Sequence, residues 1–502
     1  MGNDYDVLII GGGVVGSGIA RELSHYKIRI ALLEKEFDVS FGTSKSNSGI
    51  IHAGFHSLPG TLHARLSVEG NRAFDRLCEE LEFPFERRGS LMVAFSEEEM
   101  QTIHMYYERG RKNNVPYMEF LSRAKTLEME PNLNPDLLGA LYAPSTGIIC
   151  PYEFCYALVE DALQNGLNLF TQEKVVRIRR GRPRTNVRGS AEASGRGRGH
   201  PVEVETEKGS RFSGSFVINA AGVYADDVAR LAGVANFKIT PRKGEEYLLD
   251  RRVANLVRRV IYPVPTPISK GLLVIPTVDG PVMVGPSAFD VESKTDHDTT
   301  YEGLKAIFEH AQKMVPSIRT TDIITSFAGL RPVATGDDFI IGPTKMKGFI
   351  NAAGIQSPGL TSAPAIAEMV REILLKEGLK LELKADFLAR RKGIVHIRKA
   401  IEERKFEKVE EAIRADKDYA KLVCRCENVT EAEVSEAVKR GHTCMDAIKF
   451  MTRAGTGRCQ GGFCSSRIMK IIESKTGTPL EKITKKGPGS ELLLLPLSKG
   501  GV

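Results

Sequence analysis

Residues Asp6 to Glu34 read DVLIIGGGVVGSGIARELSHYKIRIALLE, and this stretch decides the fold. Its apolar run from Val7 to Ile10 has the length of a buried parallel strand. The run passes into Gly11, Gly13 and Gly16 with G-x-G-x-x-G spacing, then into an amphipathic segment reaching about Tyr26. A second apolar run, Ile28 to Leu33, ends on Glu34. Gly11 permits the tight strand-to-helix turn, Gly13 lets backbone approach a pyrophosphate, and Gly16 allows close packing of helix on strand. Phosphates then meet the free N–H groups and positive end of that helix, and Glu34 can accept hydrogen bonds from ribose hydroxyls. The series predicts a dinucleotide-binding α/β domain. Its alternative is a glycine-rich βα turn in an empty one.

A chain of 502 residues can bury a large core and is expected to form two or three domains. No apolar run is long enough to cross a bilayer. The start, MGNDYDVLII, lacks the basic segment of a secretory leader, so a cytoplasmic protein is expected. The eight cysteines then read as thiols or metal ligands rather than as a disulfide framework.

The net charge of +7 suggests nucleic acid until its location is seen. Eight arginines (177, 179, 180, 182, 184, 188, 196 and 198) face a single acid, Glu192, between Arg177 and His200. The rest of the chain is close to neutral. This segment is rich in Gly and Ser and has no aromatic residue on which a base could stack. It reads as a solvated hairpin loop, with docking to an acidic partner or membrane surface as the lesser reading.

Gly42 to Gly54, GTSKSNSGIIHAG, is dense in small residues and hydroxyls, as close approach to a flat ligand requires. Val202 to Thr206 and Arg211 to Asn219 read as strands around Lys208-Gly209, the second ending in INAAG at 218–222. From Lys238 to Asp338, β-branched strand candidates alternate with Pro and Gly, predicting a mixed sheet on the substrate side. Strand-like runs then lead to a Gly/Ser/Pro turn at Gly354, opening an apolar helix with its positive end towards a ligand.

Four cysteines stand in a frame: Cys424-x-Cys426, then Cys459-x4-Cys464. A helix capped by Thr430 with Glu433 and a second near Thr443 separate the pairs. Four thiolates on two loops suit a [2Fe–2S] cluster, with structural zinc or unligated thiols as alternatives. Cys78, Cys150, Cys155 and Cys444 have no such frame.

The fingerprint, GTSKSNSGIIHAG, INAAG, AGLRP at 328–332 and the turn from Gly354 to Thr361 together resemble the D-amino-acid oxidase/glycerol-3-phosphate dehydrogenase superfamily of FAD enzymes. The terminal module resembles the bacterioferritin-associated-ferredoxin-type [2Fe–2S] domain, and its segment GRCQGGFCSSR (457–467) is similar to that of anaerobic glycerol-3-phosphate dehydrogenase A subunits. IIHAGF and YPVP (262–265) also resemble the L-2-hydroxyglutarate oxidase branch.

The resemblance implies an α/β fold: a Rossmann-type FAD-binding domain, a mixed-sheet substrate domain and a small helical C-terminal iron–sulfur domain. The oxidoreductase body would span 1–380, with FAD-binding segments at about 1–80, 150–235 and 325–380 and substrate-side segments at about 81–149 and 236–324. A charged helical connector (381–418), the [2Fe–2S] domain (419–480) and a tail (481–502) follow. Gly11, Gly13, Gly16 and Glu34 would hold the ADP half of FAD, Thr43 and Ser44 the pyrophosphate, and Ser48 and Gly49 would lie by the flavin. Val175 or Val176 would contact adenine, with Gly222 near the cofactor. Gly354, Gly359, Leu360 and Thr361 would offer backbone N–H groups to the flavin's pyrimidine end.

Arg331 is the candidate for an anionic substrate and Lys270 a second cation. His52 is the candidate base, ahead of His56. Cys424, Cys426, Cys459 and Cys464 would hold the cluster. The activity implied is oxidation of sn-glycerol 3-phosphate to dihydroxyacetone phosphate, electrons passing through the cluster to a partner subunit in a hetero-oligomer. One dinucleotide fingerprint places any NAD or quinone site on another subunit, and ELLLLPL (491–497) could dock it. No nucleic acid is expected; peripheral membrane association would run through a partner. The alternatives are a 2-hydroxy-acid or amino-acid dehydrogenase, and a non-catalytic electron-transfer or assembly subunit.

Overall fold

The computed structural model describes residues 3–181, 200–265 and 271–493. Most of the arginine-rich loop, Lys270 and the end of the apolar tag therefore lie outside the described residues. The chain divides into two compact units, Met1–Arg391 and Lys392–Val502.

The first unit holds an eight-stranded sheet built around the fingerprint strand, Asp4–Ile10. That strand pairs in parallel with Ile30–Leu33 on one side and Arg211–Asn219 on the other. Its interior residues Val7, Leu8 and Ile9 are fully buried, as expected of a parallel strand covered on both faces. Helix Val14–Ser24 leaves the strand through the glycine turn. The strands 175–180, 202–206 and 211–219 form an antiparallel meander, and Phe349–Ala353 adds a further parallel strand beside Arg211–Asn219.

A nine-stranded mixed sheet forms the other layer. Ser90–Ala94 pairs in parallel with Val260–Pro263, and Ile239–Leu249 runs antiparallel to Ile323–Ala334 over nearly its whole length. The latter strand thus crosses the boundary near 325 drawn from sequence and belongs to this sheet. Alternation along the strands separates two cores. Leu91, Val93, Val282 and Val284 pack on one face with Ile307 and Met314 of helix Tyr301–Met314. Met92, Ala94, Met283 and Leu248 pack on the other with Ile50, Phe55 and Tyr262. The second face lies against the Gly42–Gly54 loop.

The second unit is a small helical module. Thr430 begins helix Glu431–Lys439 with a reciprocal capping box involving Glu433. Helices Met445–Thr452 and Ser465–Thr476 complete it, with Ile448, Met451, Ile468 and Ile472 buried. The connector's α-helices are Ile397–Glu402 and Phe406–Ala415, with a short 3-10 helix from Lys417 at its end. No helix among the described residues is long and apolar enough to cross a membrane.

Candidate cofactor and substrate site

Backbone approach fixes the glycine turn. Gly11 has φ +109° and a Cβ there would stand 2.4 Å from the Ala220 carbonyl oxygen; one at Gly16 would stand 2.0 Å from that of Gly11. Both positions exclude a side chain, so strand, helix and the INAAG turn close on one another. Glu34 is buried and accepts from the backbone N–H of Gly12 at 2.6 Å and of Glu36 at 2.8 Å. Burial raises its pKa while these bonds oppose the rise. The segment leading to Val175 runs alongside, Glu173 N–H donating to the Glu34 carbonyl. Val175 packs on the core of the first sheet, while Val176 is 40% exposed.

Ser44 reaches the start of the first helix, its hydroxyl accepting from Val14 N–H at 2.9 Å. Thr43 donates to the Leu330 carbonyl at 2.8 Å, tying the loop to the strand carrying Arg331. A buried acid, a Cβ-free cradle and a helix N-terminus in one place fit the ADP half of FAD. Gly222 ends the INAAG turn with φ +57°.

The Gly42–Gly54 loop and the helix Gly359–Lys376 meet at His52. Its backbone N–H donates to Thr361 Oγ1 at 2.9 Å, and Thr361 itself is fully buried. The imidazole Nδ1 lies 3.1 Å from Tyr262 Oη and Nε2 lies 3.3 Å from Ser357 Oγ. Burial raises the pKa of Tyr262, so its hydroxyl keeps its proton. Gly354, with φ +66°, turns the chain from strand to this helix start, and Gly359 and Leu360 form its first residues. The His56 ring lies tilted by 46° to that of Tyr262, with centroids 4.8 Å apart, within the same aromatic group.

Opposite them, Ser48 Oγ donates to Glu246 Oε1 at 2.6 Å. The Gly49 N–H donates to Asn47 Oδ1 at 2.8 Å, which shapes the loop here. Arg331 donates from Nη2 to the Ser287 carbonyl at 2.7 Å. Burial lowers its pKa, and Glu246 nearby opposes that fall. The structure therefore gathers Ser48, His52, Arg331 and Thr361 around one loop. Sequence reasoning missed Glu246, Tyr262 and Ser357. The signal for Glu246 was present: two consecutive acids, Glu245 and Glu246, inside an otherwise apolar strand candidate.

In the second unit Cys426 and Cys459 bring their sulfurs to 3.6 Å, and Cys424 lies within hydrogen-bonding reach of Cys464. A zinc ion with four thiolates at about 2.3 Å would draw all of them within about 4 Å of each other. The described residues contain only one trio of ligand atoms mutually within 4.8 Å, Cys150 with Glu153 and Asp279, in the other unit. Two separate thiol pairs fit a two-iron cluster, in which each iron takes two thiolates. Cys155 lies under the glycine turn, 3.2 Å from Ser17 Oγ, and burial pushes its thiol up to about 12.

Comparison with known proteins agrees with both modules. Residues 6–373 match the family described as FAD dependent oxidoreductase, and residues 422–474 match the BFD-like [2Fe-2S] binding domain. The chain is 44% identical over 495 residues to a glycerol 3-phosphate dehydrogenase of Caloramator mitchellensis, covering 98% of each chain. It is 35% identical to a glycerol 3-phosphate oxidase of Mycoplasma genitalium, covering 76% of this chain and 97% of that one. Among solved structures, dithionite-reduced L-alpha-glycerophosphate oxidase from Mycoplasma pneumoniae with FAD bound superposes with a TM-score of 0.70 at 31% identity, covering 77% of this chain and 98% of that one.

Proposed function

The chain belongs to the FAD dependent oxidoreductase family and carries a [2Fe–2S] module, and from that premise we propose that it oxidises sn-glycerol 3-phosphate to dihydroxyacetone phosphate and hands the electrons to a partner subunit. The carrying observation is coverage: a relative named glycerol 3-phosphate dehydrogenase aligns over 98% of both chains, cysteine module included. The oxidase from Mycoplasma genitalium leaves about a quarter of this chain unmatched.

When bound, FAD supplies a two-electron acceptor and the cluster a one-electron carrier. Gly11, Gly13, Gly16, Glu34, Thr43 and Ser44 would hold the ADP half, with Val175 or Val176 at adenine and Gly222 nearby. Ser48, Gly49, Gly354, Gly359, Leu360 and Thr361 would surround the flavin ring. Cys424, Cys426, Cys459 and Cys464 would hold the irons. Arg331 would bind the substrate phosphate through its planar fork, with Lys270 as a second cation. His52, held between Tyr262 and Ser357, would take the C2 hydroxyl proton as a neutral imidazole.

Anaerobic mixing tests this reading. Glycerol 3-phosphate is expected to bleach the flavin absorbance, whereas L-2-hydroxyglutarate, proline and glycine are not. Bleaching by L-2-hydroxyglutarate instead would move the assignment to 2-hydroxy acids, and bleaching by none would favour an assembly role.

A further inference from the structure

The two thiol pairs of the second unit are unequally covered. Cys424 and Cys464 are 1% and 2% exposed, whereas Cys426 is exposed and Cys459 half-buried. The Cys426–Cys459 side is therefore the outer edge of the cluster site. Phe463, next to Cys464, leaves 84% of its surface in water. A ring so exposed adds little to the core of its own module.

The charges around this edge have one sign. In the cysteine segments 424–428 and 455–467, Arg425, Arg458 and, in the first turn of helix Ser465–Thr476, Arg467 are all exposed. The single acid, Glu427, is buried and held by Arg453 at 3.2 Å and Arg398 at 3.6 Å. A phenyl ring within a cationic rim thus borders the exposed sulfurs.

We propose that this rim is the docking surface for the electron-accepting partner, a protein with an acidic face and an apolar recess for Phe463. The inference rests on the reading that electrons leave through the cluster. Opposite charge steers encounter and fixes orientation, and a central aromatic anchor supplies much of the binding energy. A second copy of this chain fits poorly, because a two-fold contact would set the arginines against their own equivalents. Each encounter passes one electron to the partner's oxidised centre and exchanges no atoms.

The test uses the FAD- and cluster-loaded protein, with oxidised plant-type ferredoxin as an acidic probe and cytochrome c as a basic one. Binding is measured by calorimetry at about 20 and about 200 mM salt, where screening differs strongly. Ferredoxin is expected to bind the wild type and to weaken with salt. The R425E/R458E variant should weaken it by at least about tenfold, and should gain affinity for cytochrome c. F463S should weaken ferredoxin by about tenfold and leave the salt dependence unchanged.

Iron and flavin contents are measured for each variant, and R425Q/R458Q replaces the reversal if iron is lost. Equal ferredoxin affinity in wild type and variants, absence of ferredoxin binding, or equal binding of both probes to the wild type would overturn the proposal. Phe463-dependent self-association in sedimentation would assign the face to a second copy instead. Failure of glycerol 3-phosphate to bleach the flavin would overturn the substrate assignment while leaving these binding results standing.

Discussion

Ser48 and Glu246 join the glycine-rich loop to the second sheet through one hydrogen bond of 2.6 Å. The other carboxyl oxygen, Oε2, is buried with no hydrogen-bond partner among the described residues. Burial pushes the Glu246 carboxyl up to about 7 from 4.5, with the Ser48 bond and Arg331 pulling the other way. Folding therefore takes up a proton between these two values, so stability falls as pH rises through that window. The full loss at alkaline pH is roughly 3 kcal/mol. Glu246→Gln should remove this part of the slope, seen as a smaller fall in Tm between pH 5 and 8 than in the wild type. An unchanged slope would show that Glu246 ionises as readily folded as unfolded.

Arg331 sits on the same face, near enough to Glu246 for each to influence the other's ionisation. Among the described residues no ion pair joins them, and the guanidinium donates instead to the Ser287 carbonyl. Its remaining N–H groups suit an incoming anion. Arg331→Lys keeps the charge but loses the fork, so glycerol 3-phosphate should bind at least about tenfold more weakly with flavin content unchanged. Flavin spectral titration with dihydroxyacetone phosphate, which carries the same phosphate and cannot reduce the flavin, reads this loss. Equal affinity would remove Arg331 from the site.

The glycine turn was legible because its signal is local. Backbone spacing alone demands glycine at 11 and 16, and the acid at 34 ends the next strand. The surroundings of Ser48 and His52 are not local. Glu246, Tyr262 and Ser357 come from three distant segments, and only strand pairing and the helix at Gly359 bring them to the Gly42–Gly54 loop. Burial of an acid is likewise invisible in one dimension: GEEYLLD carries two adjacent acids in a strand candidate, yet both Glu245 and Glu246 are buried. They point to opposite faces, Glu245 accepting from Thr300 and Glu246 from Ser48. The cysteine frame was legible in composition, but its resolution into two pairs needed the fold.

Gly16 provides a sharper test of the cofactor turn. A methyl group there would meet the Gly11 carbonyl oxygen at 2.0 Å, and backbone cannot give way as a flexible side chain can. Gly16→Ala should push the first helix off the strand and dislocate its N-terminal N–H groups from the pyrophosphate position. The expected result is loss of most FAD from the purified protein, read from the ratio of flavin to protein absorbance. Gly42→Ala is the control, since a Cβ there meets nothing within 4 Å. Normal flavin content in Gly16→Ala would mean that the turn does not hold the cofactor.

The sulfur pairs predict the composition of the terminal site. Cys426 and Cys459 approach to 3.6 Å at the exposed edge, whereas Cys424 and Cys464 are buried. If each pair holds one iron, the reconstituted protein should contain two irons and two sulfides per chain and no stoichiometric zinc. Cys426→Ser removes a soft thiolate at the outer iron and should leave the cluster labile, with iron lost to a chelator far faster than in the wild type. Flavin bleaching by glycerol 3-phosphate should persist in that variant, because the substrate is proposed to react at the other cofactor. What should disappear is the slower electron loss through the cluster, followed by its visible absorbance after photoreduction. Zinc at one ion per chain, with iron absent after anaerobic reconstitution, would mean that the four thiols close around a single metal and that electrons must leave by another route.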